Sequence, residues 1–410
     1  MSRKFISYII VLLLLLSGCQ NNTPGTTTDS TDANDMLQFD TKKNAQNKYV
    51  IIDGFNFQET DGFFIGTIFG GDYLQYYDRA SGINGVLCAD PSCTHDSNEC
   101  GANIARGSAS LSYYDGKLYW VGSEGTELQK RYLWQSDLSG MNRKKIMEIP
   151  WDEIIIPYQP QRYVIHQGKL YIRGYANVVD GTQAGIRVSL LSKPLYGDEG
   201  FTTVYDEVFP EGVWETYRFV GGCVYISVVT SEDWISFDLT VTKVDTQANT
   251  SEVVYQETDM PRSPEKLWVT EEHELYLSGS TDEKGYLWKV ENGSKKEITF
   301  WPADEVKVPV VMDGMAMLLT RDENKIRHVD IRDFSGKTIY SGKLFLEEIP
   351  GLGKDPNTYS IGVVGGDEEK LILELSGEEG TRQDSKRVSY FILLDLKNNM
   401  KATILWSSEE

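Results

Sequence analysis

One short pattern recurs along most of this chain and restricts its fold more than any other feature. Asp61-Gly-Phe-Phe, Asp115-Gly-Lys-Leu-Tyr-Trp, Gln167-Gly-Lys-Leu-Tyr-Ile, Gly221-Gly-Cys-Val-Tyr-Ile, Glu272-His-Glu-Leu-Tyr-Leu, Asp313-Gly-Met-Ala-Met-Leu and Glu369-Lys-Leu-Ile-Leu each join a tight turn to the start of an apolar strand. The leading positions 61, 115, 167, 221, 272 and 313 lie 54, 52, 54, 51 and 41 residues apart. A unit of that size holds four strands and their loops. A second marker, Tyr132-Leu-Trp-Gln-Ser-Asp-Leu-Ser-Gly140, is echoed at Tyr286-Leu-Trp-Lys-Val-Glu-Asn-Gly293, at Asp333-Phe-Ser-Gly336 and at Asp395-Leu-Lys-Asn398. Its aspartate bonds back to the backbone while Gly or Asn takes the left-handed position that closes a hairpin.

A four-stranded sheet cannot cover both of its apolar faces alone, whereas radial stacking buries them between neighbours. The repeat therefore predicts an all-β fold, a β-propeller of seven four-stranded blades, formed by residues 49–410 as a single domain. A ring of six or eight blades, or another stack of antiparallel sheets, is the alternative left open by the count. The aspartates Asp78, Asp137, Asp333 and Asp395 are read as turn formers.

The N-terminus reads differently. Arg3 and Lys4 precede a twelve-residue run, Phe5 to Leu16, which is too short to cross a bilayer and ends in small residues. Residues 1–18 are expected to be an export signal. Leu16-Ser17-Gly18-Cys19 resembles the lipobox of bacterial lipoproteins, so Cys19 is expected to carry a lipid after cleavage. Residues 19–48 are mostly small and polar and are read as a disordered tether. The chain carries 40 basic and 61 acidic side chains, a net charge of −21. That charge excludes nucleic acid and anionic bilayers as electrostatic partners and leaves attachment to the lipid.

Together, the lipobox, the tether, the Asp-Gly-Lys-Leu-Tyr units and an early Cys-x4-Cys-x-His-x4-Cys stretch resemble propeller-like lipoproteins of unknown function from Gram-positive, clostridia-like bacteria. More distantly, the chain is similar to TolB-like β-propellers. The resemblance implies a binding platform on the extracytoplasmic face of the cell membrane and supplies no catalytic residues.

The stretch Cys88-Ala-Asp-Pro-Ser-Cys93-Thr-His95-Asp-Ser-Asn-Glu-Cys100 is the one dense cluster of reactive side chains. Cys88, Cys93, His95 and Cys100 make a legitimate set of structural zinc ligands, although a single residue between Cys93 and His95 leaves little room. Outside the membrane, a disulfide within the cluster is the competing reading, and it is the favoured one. Either crosslink would fix a polar loop between the first two blades. Four protein ligands would leave no open position for a substrate, and no cofactor beyond this structural zinc is called for. Cys223 reads as a small buried apolar residue.

No G-x-S-x-G, H-E-x-x-H, Walker or dinucleotide fingerprint occurs. His166, His273 and His328 are isolated, and the first two are read as solvated turn residues. Trp151, Trp214, Trp234 and Trp301 stand near expected loops, where simple loop packing is the favoured role of each and stacking on a sugar or anchoring a peptide is the alternative. The functional expectation is a lipid-anchored binding or adaptor protein that holds a glycan, envelope protein or peptide through end-face loops, rather than an enzyme. Its alternative is a carbohydrate-active enzyme with carboxylates at the channel mouth.

Overall fold

The computed structural model describes residues 57–409 apart from 68–72, 98, 105–108, 125–126, 150–162, 181–182, 210–211, 262–265, 282, 303–307, 325, 353–355 and 380–385. The expected signal and tether, with Cys19, and Trp151 lie outside the described residues.

Seven four-stranded antiparallel sheets follow one another along the chain, each built from four consecutive strands in spatial order. Blade 1 spans 57–86, blade 2 109–149, blade 3 163–209, blade 4 213–260, blade 5 266–302, blade 6 310–343 and blade 7 360–409. This is the seven-bladed β-propeller that the repeat predicted.

The repeated motif forms the turn between the inner and second strands of each blade. Asp115 and Gly116 have φ of 48° and 70°, and Gln167 and Gly168 have φ of 48° and 72°. Two consecutive left-handed residues make the two-residue hairpin whose twist matches that of its strands. The outer turns use aspartate as expected. Asp333 Oδ1 accepts from the backbone N–H groups of Ser335 and Lys337, both at 2.9 Å, and Asp395 Oδ1 accepts from those of Lys397 and Asn398 at 3.0 Å.

The second strand of each blade shows why the pattern is apolar on both faces. In Lys117–Glu124, Leu118 and Trp120 pack toward Ile65 of blade 1, while Tyr119 and Val121 pack toward Tyr163 and Ile165 of blade 3. In Met315–Arg321, Met315 and Met317 meet Leu371 and Leu373 of blade 7, and Ala316 and Leu318 meet Trp268 and Tyr276 of blade 5. Burial of each such large side chain is worth about 1.5–3 kcal/mol, so the stacked sheets form a continuous ring of core.

Among the described residues, no strand is shared between the first and last blades. The seam between them closes through side chains. Asn84 Nδ2 donates to the Leu405 carbonyl at 2.7 Å, Lys370 Nζ meets Glu59 at 3.1 Å, and the Phe57 ring lies 6.1 Å from Phe391 and 5.7 Å from Trp406.

Candidate metal centre

Four side chains of the loop between blades 1 and 2 converge. One ligand atom from each of Cys88, Cys93, His95 and Cys100 lies within 4.8 Å of all the others, and His95 Nδ1 is 3.4 Å from Cys100 Sγ. The edges of a tetrahedral zinc–thiolate site are about 3.8 Å, so a small inward movement of these atoms makes a complete coordination shell. The cluster can hold a metal ion.

Local turns create this convergence. Asp90 Oδ1 accepts from the N–H and hydroxyl of Ser92 at 2.8 and 2.7 Å, and the Cys93 N–H donates to the Asp90 carbonyl at 3.2 Å. A second turn carries the Cys100 N–H to the Ser97 carbonyl at 3.2 Å. Between them His95 adopts a left-handed φ of 58°. That conformation relieves the crowding expected from the single-residue spacing, because the chain reverses at His95 instead of running extended.

The loop is seated against blade 2. A Cβ on Gly101 would stand 2.3 Å from the Gly140 carbonyl oxygen, and one on Gly140 would stand 2.2 Å from that of Leu87. Both positions require the absence of a side chain. Arg143 donates to the Asn103 carbonyl at 2.6 Å while its guanidinium lies 5.4 Å from the Trp134 ring centre.

Burial, with the Cys93 and Cys88 thiols adding to it, raises the Cys100 thiol to about 11 against the opposing Ala102 N–H. At Cys88 burial acts in the same sense but is outweighed by the Asp90 and Gly101 N–H groups and the two neighbouring thiols, so that thiol falls below its ordinary value. Three thiolates in one place repel one another, and a divalent cation is what relieves that repulsion.

Among the described residues no disulfide joins Cys88, Cys93, Cys100 or Cys223, and the first three are grouped around the His95 ring, the arrangement a metal ion needs. Cys223 is half-buried beside Val220 and Tyr225 in the core of blade 4.

Other expected site residues separate. Trp301, read as a loop residue, is 1% exposed in the outer strand of blade 5, and its Nε1 donates to Asp330 of blade 6 at 2.8 Å. Trp214 is half-buried, with its ring 5.1 Å from that of Trp234 at 85°. Trp234 is 65% exposed. The solvated reading of two histidines is also corrected. His166 is buried, and its Nε2 bridges to the Gly221 carbonyl of blade 4 at 2.7 Å; burial holds its pKa below the ordinary value. His273 is partly buried, and its Nδ1 lies 3.0 Å from the Tyr225 hydroxyl. His328 is 3.2 Å from Asp322.

Several buried charges were not anticipated, among them Glu374 and the Arg173–Glu215 pair. Glu374, in the second strand of blade 7, is 6% exposed; burial raises its carboxyl to about 7 against the opposing charge of Arg387. Arg173 of blade 3 forms an ion pair with the fully buried carboxylate of Glu215 in blade 4. Beside Arg173 lies a partly open space of about 40 Å³ lined by Tyr163, Tyr171, Tyr217 and Phe219. The sequence signal for both is a lone charge inside an apolar second strand, at Leu373-Glu374-Leu375 and Ile172-Arg173-Gly174.

No protein-family model matches the chain, and no curated protein matches it either. Similar solved structures include the acylaminoacyl peptidase of Pyrococcus horikoshii, at 10% identity and a TM-score of 0.44, over 86% of this chain and 59% of that one. The β-propeller domain of the Trilobed protease from Pyrococcus furiosus aligns at 12% identity and a TM-score of 0.45, over 86% and 98% of the two chains. A puromycin hydrolase aligns at 11% identity and a TM-score of 0.36, over 76% and 55%. The chain thus spans little more than half the length of the peptidase and the hydrolase. The expectation of a non-enzyme is corrected by these matches.

Proposed function

We propose that this chain is a lipid-anchored, extracytoplasmic propeller that binds a ligand on its loops and uses a structural zinc ion to hold blade 1 against blade 2. The observation that carries the reading is the convergence of three thiols and one imidazole in the loop joining those blades. A site with four protein ligands is closed to substrate, so the metal acts on the loop and leaves the blade ends for recognition. The lipobox-like Leu16-Ser17-Gly18-Cys19 supports the address.

The test uses the full chain expressed with its own N-terminus in a Gram-positive host. One zinc per chain by elemental analysis is expected, together with membrane fractionation that is lost in Cys19→Ala. A metal-free protein whose mass shows a disulfide between two of Cys88, Cys93 and Cys100 overturns the zinc assignment. Unchanged fractionation of Cys19→Ala overturns the anchor.

A further inference from the structure

Blade 4 carries an exposed apolar knob in a conformation that a side-chain-bearing residue seldom adopts. The loop Ser231–Ser236 joins the second strand, Cys223–Thr230, to the third, Phe237–Asp245. At its tip Trp234 is 65% exposed and Ile235 is 73% exposed. Trp234 has φ of 63°, which is costly for a bulky L-residue and persists only where its surroundings impose it.

Those surroundings are specific. The Trp234 N–H donates to Ser231 Oγ at 2.8 Å, while Asp233 Oδ1 accepts from the N–H groups of Ile235 and Ser236 at 2.8 and 2.9 Å. Gly212, itself at φ 83°, allows the loop to close in, because a Cβ there would stand 2.6 Å from the Ser231 carbonyl oxygen. Trp214 supports the Trp234 ring edge-on at 5.1 Å and packs in turn on buried Phe237 at 6.0 Å. The indole is therefore held out to solvent on a fixed mount. An ordering cost that a ligand would otherwise meet has already been met in the free protein.

Among the described residues, the rim of the knob has one sign. Glu232, Asp233, Asp238 and Asp259 are all exposed, and none forms an ion pair with a described residue. Their contacts join them to one another's loops: the Asp259 N–H donates to Asp238 Oδ1 at 3.0 Å, and Ser236 Oγ donates to Asp259 Oδ1 at 3.4 Å. Elsewhere carboxylates are commonly neutralised, as Glu274 is by Lys289 at 2.5 Å and Glu257 by Lys295 at 2.6 Å. Unneutralised acids around an exposed indole suit a cation, which gains both from the ring face and from the carboxylates. A second copy of this chain, at −21, or an anionic bilayer brings the wrong charge.

We infer that the Trp234–Ile235 knob of blade 4 is a docking site for a basic peptide segment whose lysine or arginine lies over the indole while its apolar neighbours cover Ile235. This deepens the proposed ligand-binding role and rests on it.

The probe is an amidated peptide of alternating lysine and leucine, titrated into the full chain at low ionic strength with tryptophan fluorescence as the readout. Binding is expected to weaken about tenfold in Trp234→Ala, a substitution at an exposed tip that leaves the melting temperature in place. It should also weaken severalfold in Asp259→Asn, and again when salt is raised from about 0.05 to 0.3 M. Equal affinity of wild type and Trp234→Ala overturns the site while leaving the ligand-binding role standing. Equal affinity for a peptide with glutamate in place of lysine overturns the ligand class, as does quenching by a neutral chitin oligosaccharide but not by the basic peptide. The anchor and zinc measurements above are independent of all of these outcomes.

Discussion

Replacing Glu374 with Gln should make the protein more stable, and the gain should depend on pH in a fixed direction. Glu374 pairs with Gly362 and Phe391 across its sheet, and one carboxylate oxygen is buried without a hydrogen-bond partner. It lies on the same face of the strand as Ile372, which packs against Phe57 and Phe64 of blade 1. Burial raises the carboxyl from 4.5 to about 7. Between those values the folded protein keeps a proton that the unfolded chain releases, so stability falls as pH rises through this window. Each tenfold change in proton affinity is worth about 1.4 kcal/mol, which makes the ionisation penalty about 3 kcal/mol above pH 7. Gln cannot ionise and fills nearly the same space. The expected result is a Glu374→Gln variant about 3 kcal/mol more stable than wild type at pH 8, with the gap shrinking to a constant offset below pH 4.5. Urea unfolding of both proteins at pH 4.5, 6 and 8 measures it, and the protonation of His166 is common to both and cancels. A gap of the same size at all three pH values would refute the argument.

Further substitutions probe the blade contacts, with one turn glycine as a control. Gly140→Ala should cost about 3 kcal/mol or more, because its left-handed φ of 75° and its approach to the Leu87 carbonyl both oppose a Cβ; Gly116→Ala, at φ 70° in open space, should cost only about 1 kcal/mol in the same thermal melts. Glu215→Gln leaves the Arg173 guanidinium without its countercharge and should cost about 3 kcal/mol, whereas replacing both residues with Met should recover most of that loss in a double-mutant cycle.

The ring was legible because its turns are chemically marked. Asp115-Gly116 and Gln167-Gly168 need residues that tolerate positive φ, and that requirement is written directly in the sequence. Contacts between blades were hidden, since each depends on a partner tens of residues away. His166 finds the Gly221 carbonyl 55 residues on, and Trp301 finds Asp330 29 residues on. Trp301 was placed near a loop, yet it lies in the outer strand of blade 5 and blade 6 covers it. Glu374 was overlooked for a related reason. A lone acid in an alternating strand usually marks a solvent face, and a propeller sheet packed on both sides has none at that position. The four ligands of the metal cluster could be named from their spacing. What spacing does not reveal is that His95 turns left-handed and so brings its ring among the three thiols.

The same geometry shows what a metal ion in the cluster would do for blade 1. Its strands hold three, four, four and three residues, against six, eight, eleven and six in blade 2 and eight, ten, ten and nine in blade 7. Short strands give few ladder bonds and little apolar area, so this blade contributes least to its own retention in the ring. Polar ties stand at both of its junctions. Toward blade 2, Gln58 donates to the Leu111 carbonyl at 2.7 Å and accepts from the Tyr113 N–H at 3.1 Å, and the cysteine–histidine loop is seated on Gly140. Toward blade 7 stand the Asn84 hydrogen bond and the Lys370–Glu59 ion pair. Sharing a strand would lock the first and last blades through a ladder, but here each described sheet comes from one stretch of chain. A metal ion held by the cluster would act at the other junction of blade 1, because holding blade 1 on blade 2 also keeps Asn84 and Glu59 in reach of blade 7.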